Sequence, residues 1–557
     1  MKIKAFCLFL LLSTSVLVFA QDSAPKNWFN LDLTQDGYPG LSTEKTYKEL
    51  LKGKSGKTVV VAVIDSGVDA EHEDLKDIMW VNPGEIAGNG IDDDKNGYID
   101  DIHGWNFIGG KDGRNVNNEN LEVTRLYVRY KKKYEGKDPA KLSKAERAEY
   151  DTYKEYEKVI EKKQAELGPQ AMQFGAILEG FKKFQQQVGK DPKAITAKDA
   201  ENFKSDDQMQ MRIATIAKDA MESGSTFVEL MEEIQGAVDY FEGQVKYNYN
   251  PDFDARHIVG DDPLNVNDRN YGNNDVKGPD ASHGTHVAGI IGAIRNNRVG
   301  IDGVADNVRI MSVRTVPNGD ERDKDVANAI RYAVDNGATV INMSFGKGAS
   351  PEKGAVDAAV RYAMERDVVL VHAAGNDNKE NDFENNFPND RFAKKGLFGK
   401  KYAENWIEVG ASTWMKDEHL TAEFSNYSDD IVDVFAPGFE IYSTMPENNY
   451  KDQQGTSMAA PMVAGVAALI RSYYPELSAK QVKDIIMESS TPWKAKVLKP
   501  GTEDKVALSE LSVTGGLVNV YDAVKLASQT KGKKKASKSG STSGTGKSEK
   551  KAASPKA

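Results

Sequence analysis

The sequence predicts an α/β protein: a parallel sheet with helices on both faces, an inserted α-helical subdomain and a disordered basic C-terminal tail. Three observations carry that expectation. Short apolar runs rich in β-branched residues, Val59–Ile64, Val308–Val313, Thr339–Met343, Val368–Ala373 and Ile407–Ala411, have the length and continuity of strands buried on both faces. Among them lie Ala-rich segments of helical period, Thr285–Ile294, Asp325–Asn336, Glu352–Arg366 and Met458–Tyr473, placed as crossover helices. Third, the stretch between the first strand and the rest has another character: 121–166 holds 13 basic and 10 acidic residues, half of its length.

Taken in order, Met1–Ala20 is a secretory signal peptide. Lys2 and Lys4 precede an apolar run too short to span a bilayer, and Val18 and Ala20 are the small residues before a cut at Gln21. An N-terminal extension occupies 21–56. Core sequence follows in two blocks, 57–112 and 249–526, separated by the helical insertion, 113–248. Inside the insertion Tyr127, Tyr130 and Tyr134 share a helical face, as do Phe174, Ile177, Phe181 and Phe184, and then Phe227, Leu230, Ile234, Val238 and Phe241. Ser143–Glu146 and Thr196–Asp199 have capping-box spacing. The aromatic stripes are expected to be core, not ligand contacts. Residues 527–557 are Lys/Ser/Gly-rich, with nine lysines and one acid beyond residue 530; they predict a disordered tail. It serves as a solubilising end or spacer, or as a contact for an anionic surface.

Bulk composition narrows the class. The formal net charge of −11 argues against a nucleic-acid partner. The one cysteine, Cys7, lies in the signal, so disulfides are excluded as the stabilising device. No later run is long and apolar enough for a transmembrane helix, and no feature sets an oligomeric state.

The chemistry-bearing segments are four. In Gly455-Thr-Ser-Met-Ala-Ala-Pro461 a small-residue turn delivers Ser457 to the first turn of an apolar helix, whose unpaired N–H groups favour a nearby oxyanion. Val59-Val-Val-Ala-Val-Ile-Asp65 ends a buried strand in a carboxylate. His283-Gly-Thr-His286 opens another small-residue helix. Val368-Val-Leu-Val-His-Ala-Ala-Gly-Asn376 ends a strand in an amide. The chain resembles the subtilisin-like serine proteases (subtilases, peptidase family S8), which share the order Asp…His…Ser. The resemblance implies catalytic Asp65, His283 and Ser457, with Asn376 donating to the oxyanion and His286 structural. It also implies that Ser344, Phe345 and Gly346, in Val340-Ile-Asn-Met-Ser-Phe-Gly346, form a substrate-binding edge on which an extended peptide pairs by backbone hydrogen bonds. The expected function is a secreted serine endopeptidase acting on protein or peptide substrates through an acyl-enzyme, with no cofactor for catalysis. Asp377, beside Asn376, could draw basic groups nearby. The alternative is a catalytically idle subtilase-fold binding protein that uses the helical insert as a docking surface.

A further segment suggests structural calcium. Asp92, Asp94, Asn96, Gly97 and Asp100 occupy positions 1, 3, 5, 6 and 9 of a calcium-type loop, but His103 stands at position 12, where a bidentate Glu is expected. A solvated acidic turn is the other reading. The family pattern is also interrupted: Asp65 and His283 lie far apart in sequence, and 21–56 is too short for the usual inhibitory prodomain. The insert is therefore a surface elaboration, a docking surface, or a lid that supplies latency.

Overall fold

A nine-stranded sheet organises the molecule, whose computed structural model describes residues 24–394 and 400–533. The strands are β1 (Val59–Asp65), β2 (Gly104–Asn106), β3 (Val308–Arg314), β4 (Val340–Met343), β5 (Val369–Ala373), β6 (Trp406–Ser412) and β7 (Val434–Pro437), then the hairpin β8 (Ile441–Met445) and β9 (Asn449–Gln453), and the short β10 (Thr491–Pro492), β11 (Val497–Leu498), β12 (Lys505–Val506) and β13 (Gly516–Leu517). The main sheet runs β10-β13-β7-β6-β5-β4-β1-β3-β2, parallel throughout except between β10 and β13.

The helices are α1 (Thr43–Glu49), α2 (Glu122–Tyr134), α3 (Lys144–Val188), α4 (Ala197–Asn202), α5 (Gln208–Glu222), α6 (Phe227–Gly243), α7 (Arg256–Val259), α8 (Ser282–Gly292), α9 (Asp323–Asp335), α10 (Lys353–Glu365), α11 (Thr456–Tyr473), α12 (Ala479–Glu488) and α13 (Val520–Ala527). Period-two alternation along β1 explains the layering. Val59, Val61 and Val63 enter a core shared with α8, α11, α12 and α13, whereas Ala62 and Ile64 enter a second core with α9 and α10. Both faces are thus covered, as a parallel sheet requires.

The insertion is a helical bundle with cores of its own. Tyr127, Tyr134, Tyr153 and Ile160 form one cluster; Phe181, Phe184, Ile213, Phe227, Leu230 and Ile234 form another. Phe174 and Phe241, from two of the expected stripes, stack at 5.0 Å. Both expected capping boxes are present, and Thr226–Glu229 adds one more. The helix α3 has 45 residues, about 68 Å at 1.5 Å each, and continues through Pro169. The ends of the insertion meet, because Leu121 donates its N–H to the Asn248 carbonyl at 3.1 Å. That closure lets a long excursion leave the sheet undisturbed.

One boundary needs revision. Residue 527 ends α13, and 528–533 is not free tail: Gln481 on α12 donates to the Lys531 carbonyl and accepts from the Lys533 N–H. The extension 21–56 joins the core where described, burying Trp28, Phe29, Leu41 and Leu51. The signal segment, 1–20, and tail residues 534–557 lie outside the described residues.

Candidate active site

The carboxyl ends of β1, β4 and β5 converge with the N-termini of α8 and α11. Asp65, the last residue of β1, is 2% exposed and accepts hydrogen bonds from the Ser66 N–H and from His283 Nδ1, both at 2.7 Å. Glycine makes this approach possible. A Cβ at Gly284 would lie 2.1 Å from the Gly67 carbonyl and 3.2 Å from Asp65 Cβ, so no larger residue lets α8 bring His283 against the strand end. His283 keeps 36% of its side chain exposed, with Nδ1 committed to Asp65. Burial opposes its protonation, but the charge and hydrogen bond of Asp65, helped by Asp280, outweigh burial and raise its pKa above the ordinary value. His286 behaves differently. Buried, it bonds through Nε2 to the Ile441 and Lys451 carbonyls, and burial pushes its pKa down to about 3, so it remains a neutral structural residue.

Ser457 is the second residue of α11, after a turn at Gly455 with φ 152°. A side chain at Gly455 would press on Asn376 Nδ2 at 3.2 Å. Asn376 Oδ1 accepts from the Thr456 N–H at 2.8 Å and from the Thr456 hydroxyl at 3.0 Å, which turns Nδ2 toward the Ser457 side of the cleft. Among the described residues neither Asn376 Nδ2 nor the Ser457 N–H has a partner. Two donors therefore lie beside one hydroxyl at the positive end of a helix.

Pro461 supplies a detail that sequence reasoning missed. It lacks the N–H that would bond the carbonyl four residues back, that of Ser457. The Ser344 hydroxyl takes over, donating to the Ser457 carbonyl at 2.9 Å while accepting from Asn342 Nδ2 at 3.0 Å. A proline four residues after a candidate nucleophile was the available signal. In return, the Ser457 hydroxyl donates to the Ser344 carbonyl at 3.2 Å, so it rests on the strand edge and not on His283. Phe345 is partly buried, Gly346 is exposed, and the Gly346 N–H and carbonyl have no partner among the described residues. Lys347 next to them pairs with Phe387 through both backbone groups. A cavity of about 620 Å³ runs from Ser457, Asn376 and Gly375 along Ser344–Ala349 to Leu121, Glu122, Val123 and Tyr156 of the insertion. Asp377 lies at its rim, paired with Lys379 at 3.2 Å.

A family model described as "Subtilase family" matches residues 56–517. The chain belongs to the subtilase family. Among relatives, this subtilase is 41% identical over 223 residues to "Thermophilic serine proteinase" of Bacillus sp. (strain AK1), covering 40% of this chain and 49% of that protein. It is 39% identical over 243 residues to "Thermitase" of Thermoactinomyces vulgaris, covering 43% of this chain and 74% of the relative. It is also 39% identical over 214 residues to "Subtilisin DY" of Bacillus licheniformis, covering 38% and 70%. The chain thus spans about half the length of the thermophilic proteinase. A solved structure from the "Proteases from Pseudoalteromonas arctica PAMC 21717" matches at 27% identity with a TM-score of 0.37, covering 46% of this chain and 79% of that one. No helix among the described residues of the subtilase is long and apolar enough to cross a membrane.

The acidic loop is arranged otherwise than as a calcium-type loop of positions 1, 3, 5 and 9. Asp100 turns away to accept the Gly88, Asn89 and Gly90 N–H groups, and Asn96 donates to Asp94 and Asp101. The carboxylates brought within 4.8 Å of one another are Glu85, Asp92 and Asp94. Their oxygens also accept N–H groups from Asp93, Asn96, Gly97 and Asp100, which hold them in place. Carboxylate oxygens are the ligand type calcium takes, and these three would supply part of the six to eight it requires. Glu85 lies outside the repeating Asp pattern and so escaped notice in the sequence.

Proposed function

We propose that this subtilase is an exported serine endopeptidase. The observation that carries the reading is the 2.7 Å contact from His283 to Asp65, on α8 and β1, the elements packed against α11, which presents Ser457 beside two unpartnered donors. Ser457 Oγ attacks the scissile carbonyl and passes its proton to His283 Nε2. Asp65 holds the imidazole through Nδ1 and stabilises the cation that forms. The oxyanion is held by the Ser457 N–H and Asn376 Nδ2. When the tetrahedral species collapses, the C–N bond breaks and the leaving amine takes the proton from His283. Water then hydrolyses the ester, losing its proton to His283, which returns one to Ser457.

The free Gly346 backbone groups, with the Ser344 carbonyl, suit a peptide paired as an added strand. A substrate N–H that claims the Ser344 carbonyl releases the Ser457 hydroxyl from its resting bond and frees it for His283. Calcium is part of the same proposal as a structural ion at Glu85, Asp92 and Asp94, with no role in the chemistry. Export rests on the segment 1–20.

Incubation of the purified protein and its Ser457→Ala variant with a fluorophosphonate, read by intact mass, tests the proposal. One adduct on the parent and none on the variant is expected. A folded, calcium-supplied parent without an adduct would remove the assignment and favour the idle binding protein.

A further inference from the structure

The cavity that holds Ser457 has one wall contributed by another part of the fold. Leu121 and Val123, at the start of α2, and Tyr156, on α3, line its far end opposite Phe345–Ala349. All three are only partly buried, so they carry apolar surface that the bundle leaves uncovered. Tyr156 stacks on Tyr130, with ring centroids 6.2 Å apart and planes 19° apart, and its hydroxyl has no partner among the described residues. The wall is also tied down. Glu122, between Leu121 and Val123, lines the same cavity and accepts from Lys347 at 2.8 Å and from Arg125 at 2.6 Å. Lys347, 1% exposed, also reaches Asp323 and the Glu321 carbonyl, so the strand edge and the insertion are clamped together through a buried cation.

We propose that the insertion supplies a specificity subsite, in which Leu121, Val123 and Tyr156 receive an apolar or aromatic substrate side chain upstream of the scissile bond. This rests on the peptidase reading above. The Ser344–Ala349 edge leads away from the nucleophile. A peptide extended along it therefore brings residues roughly two to four places before the cut to the insertion wall, at about 3.3 Å per residue. The carboxylates on the cavity are already engaged: Glu122 is in two ion pairs, Asp377 is paired with Lys379, and Asp320 accepts the Glu122 N–H at 2.7 Å. An apolar pocket discriminates modestly, by roughly 10–200-fold for small changes in side-chain size.

The test uses the full chain and a set of fluorogenic peptides in which each position before the cut is varied between Phe, Leu, Lys and Gly. At one of these positions, Phe or Leu should exceed Gly by roughly tenfold or more in kcat/KM. The Tyr156→Ala variant should bring that ratio close to one, and Tyr156→Phe should retain it. If Tyr156→Ala does not fold, Leu121→Ser read by the same ratio replaces it. A ratio unchanged in the Ala or Ser variant overturns the subsite, as does a preference for Lys. Fluorophosphonate labelling of the parent separates the two failures: labelling with no upstream preference removes the subsite alone, whereas no labelling and no turnover removes the peptidase reading with it.

Discussion

The proposed mechanism gives Asn376 two jobs, and they can be separated. Its Oδ1 accepts the Thr456 N–H and hydroxyl, securing the first turn of α11, while its Nδ2 is the donor proposed for the oxyanion. Replacing Asn376 with Ala removes both. Loss of one oxyanion donor should lower kcat by roughly 10²–10³, or about 2.7–4 kcal/mol of transition-state stabilisation. KM should move only a few-fold, because the bond is made chiefly in the transition state. Loss of the acceptor at a helix N-terminus should cost about 1 kcal/mol of folding stability. Replacing Asn376 with Asp keeps an acceptor for Thr456 and places a negative charge at the N-terminus, which favours the helix by about 0.3–1 kcal/mol. It removes the donor and sets a carboxylate against the oxyanion. The Asp variant should therefore be at least as stable as the parent in urea titration and at least as slow as the Ala variant with a peptide substrate. A variant that loses stability and keeps its kcat would refute the reasoning, since Asn376 would then be a helix cap alone.

The other expectations concern titration, buried charge and metal. The raised pKa of His283 means that kcat/KM should rise with pH along a limb centred above 6.5, as the imidazole becomes neutral. The stability contribution runs the opposite way: it is fully present below the unfolded pKa near 6.5 and fades as pH rises through the folded value. In Asp65→Asn burial should dominate, moving the limb below 6.5 and lowering kcat by about 10⁴; a limb that stays in place would contradict the pairing. Lys347→Met leaves Glu122 and Asp323 without their shared cation in a buried site, which should cost about 3–5 kcal/mol in urea unfolding; under 1 kcal/mol would mean that water already screens the cluster. Exhaustive EDTA treatment should lower the melting temperature, and Asp92→Ala should abolish that dependence; an EDTA-insensitive melt removes calcium from the account.

How much of this was legible in the sequence follows from which interactions are local. Strand β1 was readable because a central parallel strand needs an unbroken apolar run, and Val59–Ile64 is one; its last residue is then Asp65 by necessity. The helices of the insertion were readable because apolar residues recur at helical spacing around each of Tyr127, Phe181 and Ile234, and Ser143 and Thr196 have partners three residues on. The short β10–β13 were not readable, since two-residue strands carry no period. Of the candidate site residues, Asp65, His283, Asn376 and Ser457 stand at strand or helix ends: Asp65 meets His283 at 2.7 Å, and Asn376 holds the turn before Ser457 through Thr456. In the acidic loop Asp100 accepts from glycine-rich backbone ten to twelve residues earlier, a pairing that depends on how the turn closes and that no local spacing announces.

The relation of the insertion to the cleft was hidden for the same physical reason. It depends on Glu122 meeting Lys347 across 225 positions of sequence, and no local pattern announces a buried ion pair of that span. Such a pair contributes little net stability, since desolvating both charges offsets most of their attraction. A leucine pair in the same place would hold the insertion as firmly, but it would tolerate sliding. Lys347 is held against sliding, because its three acceptors, Glu122, Asp323 and the Glu321 carbonyl, come from the insertion and from the loop that opens α9. The clamp therefore fixes the position of Leu121 and Val123 relative to Gly346, which is the condition a substrate wall must satisfy and a passive surface elaboration need not.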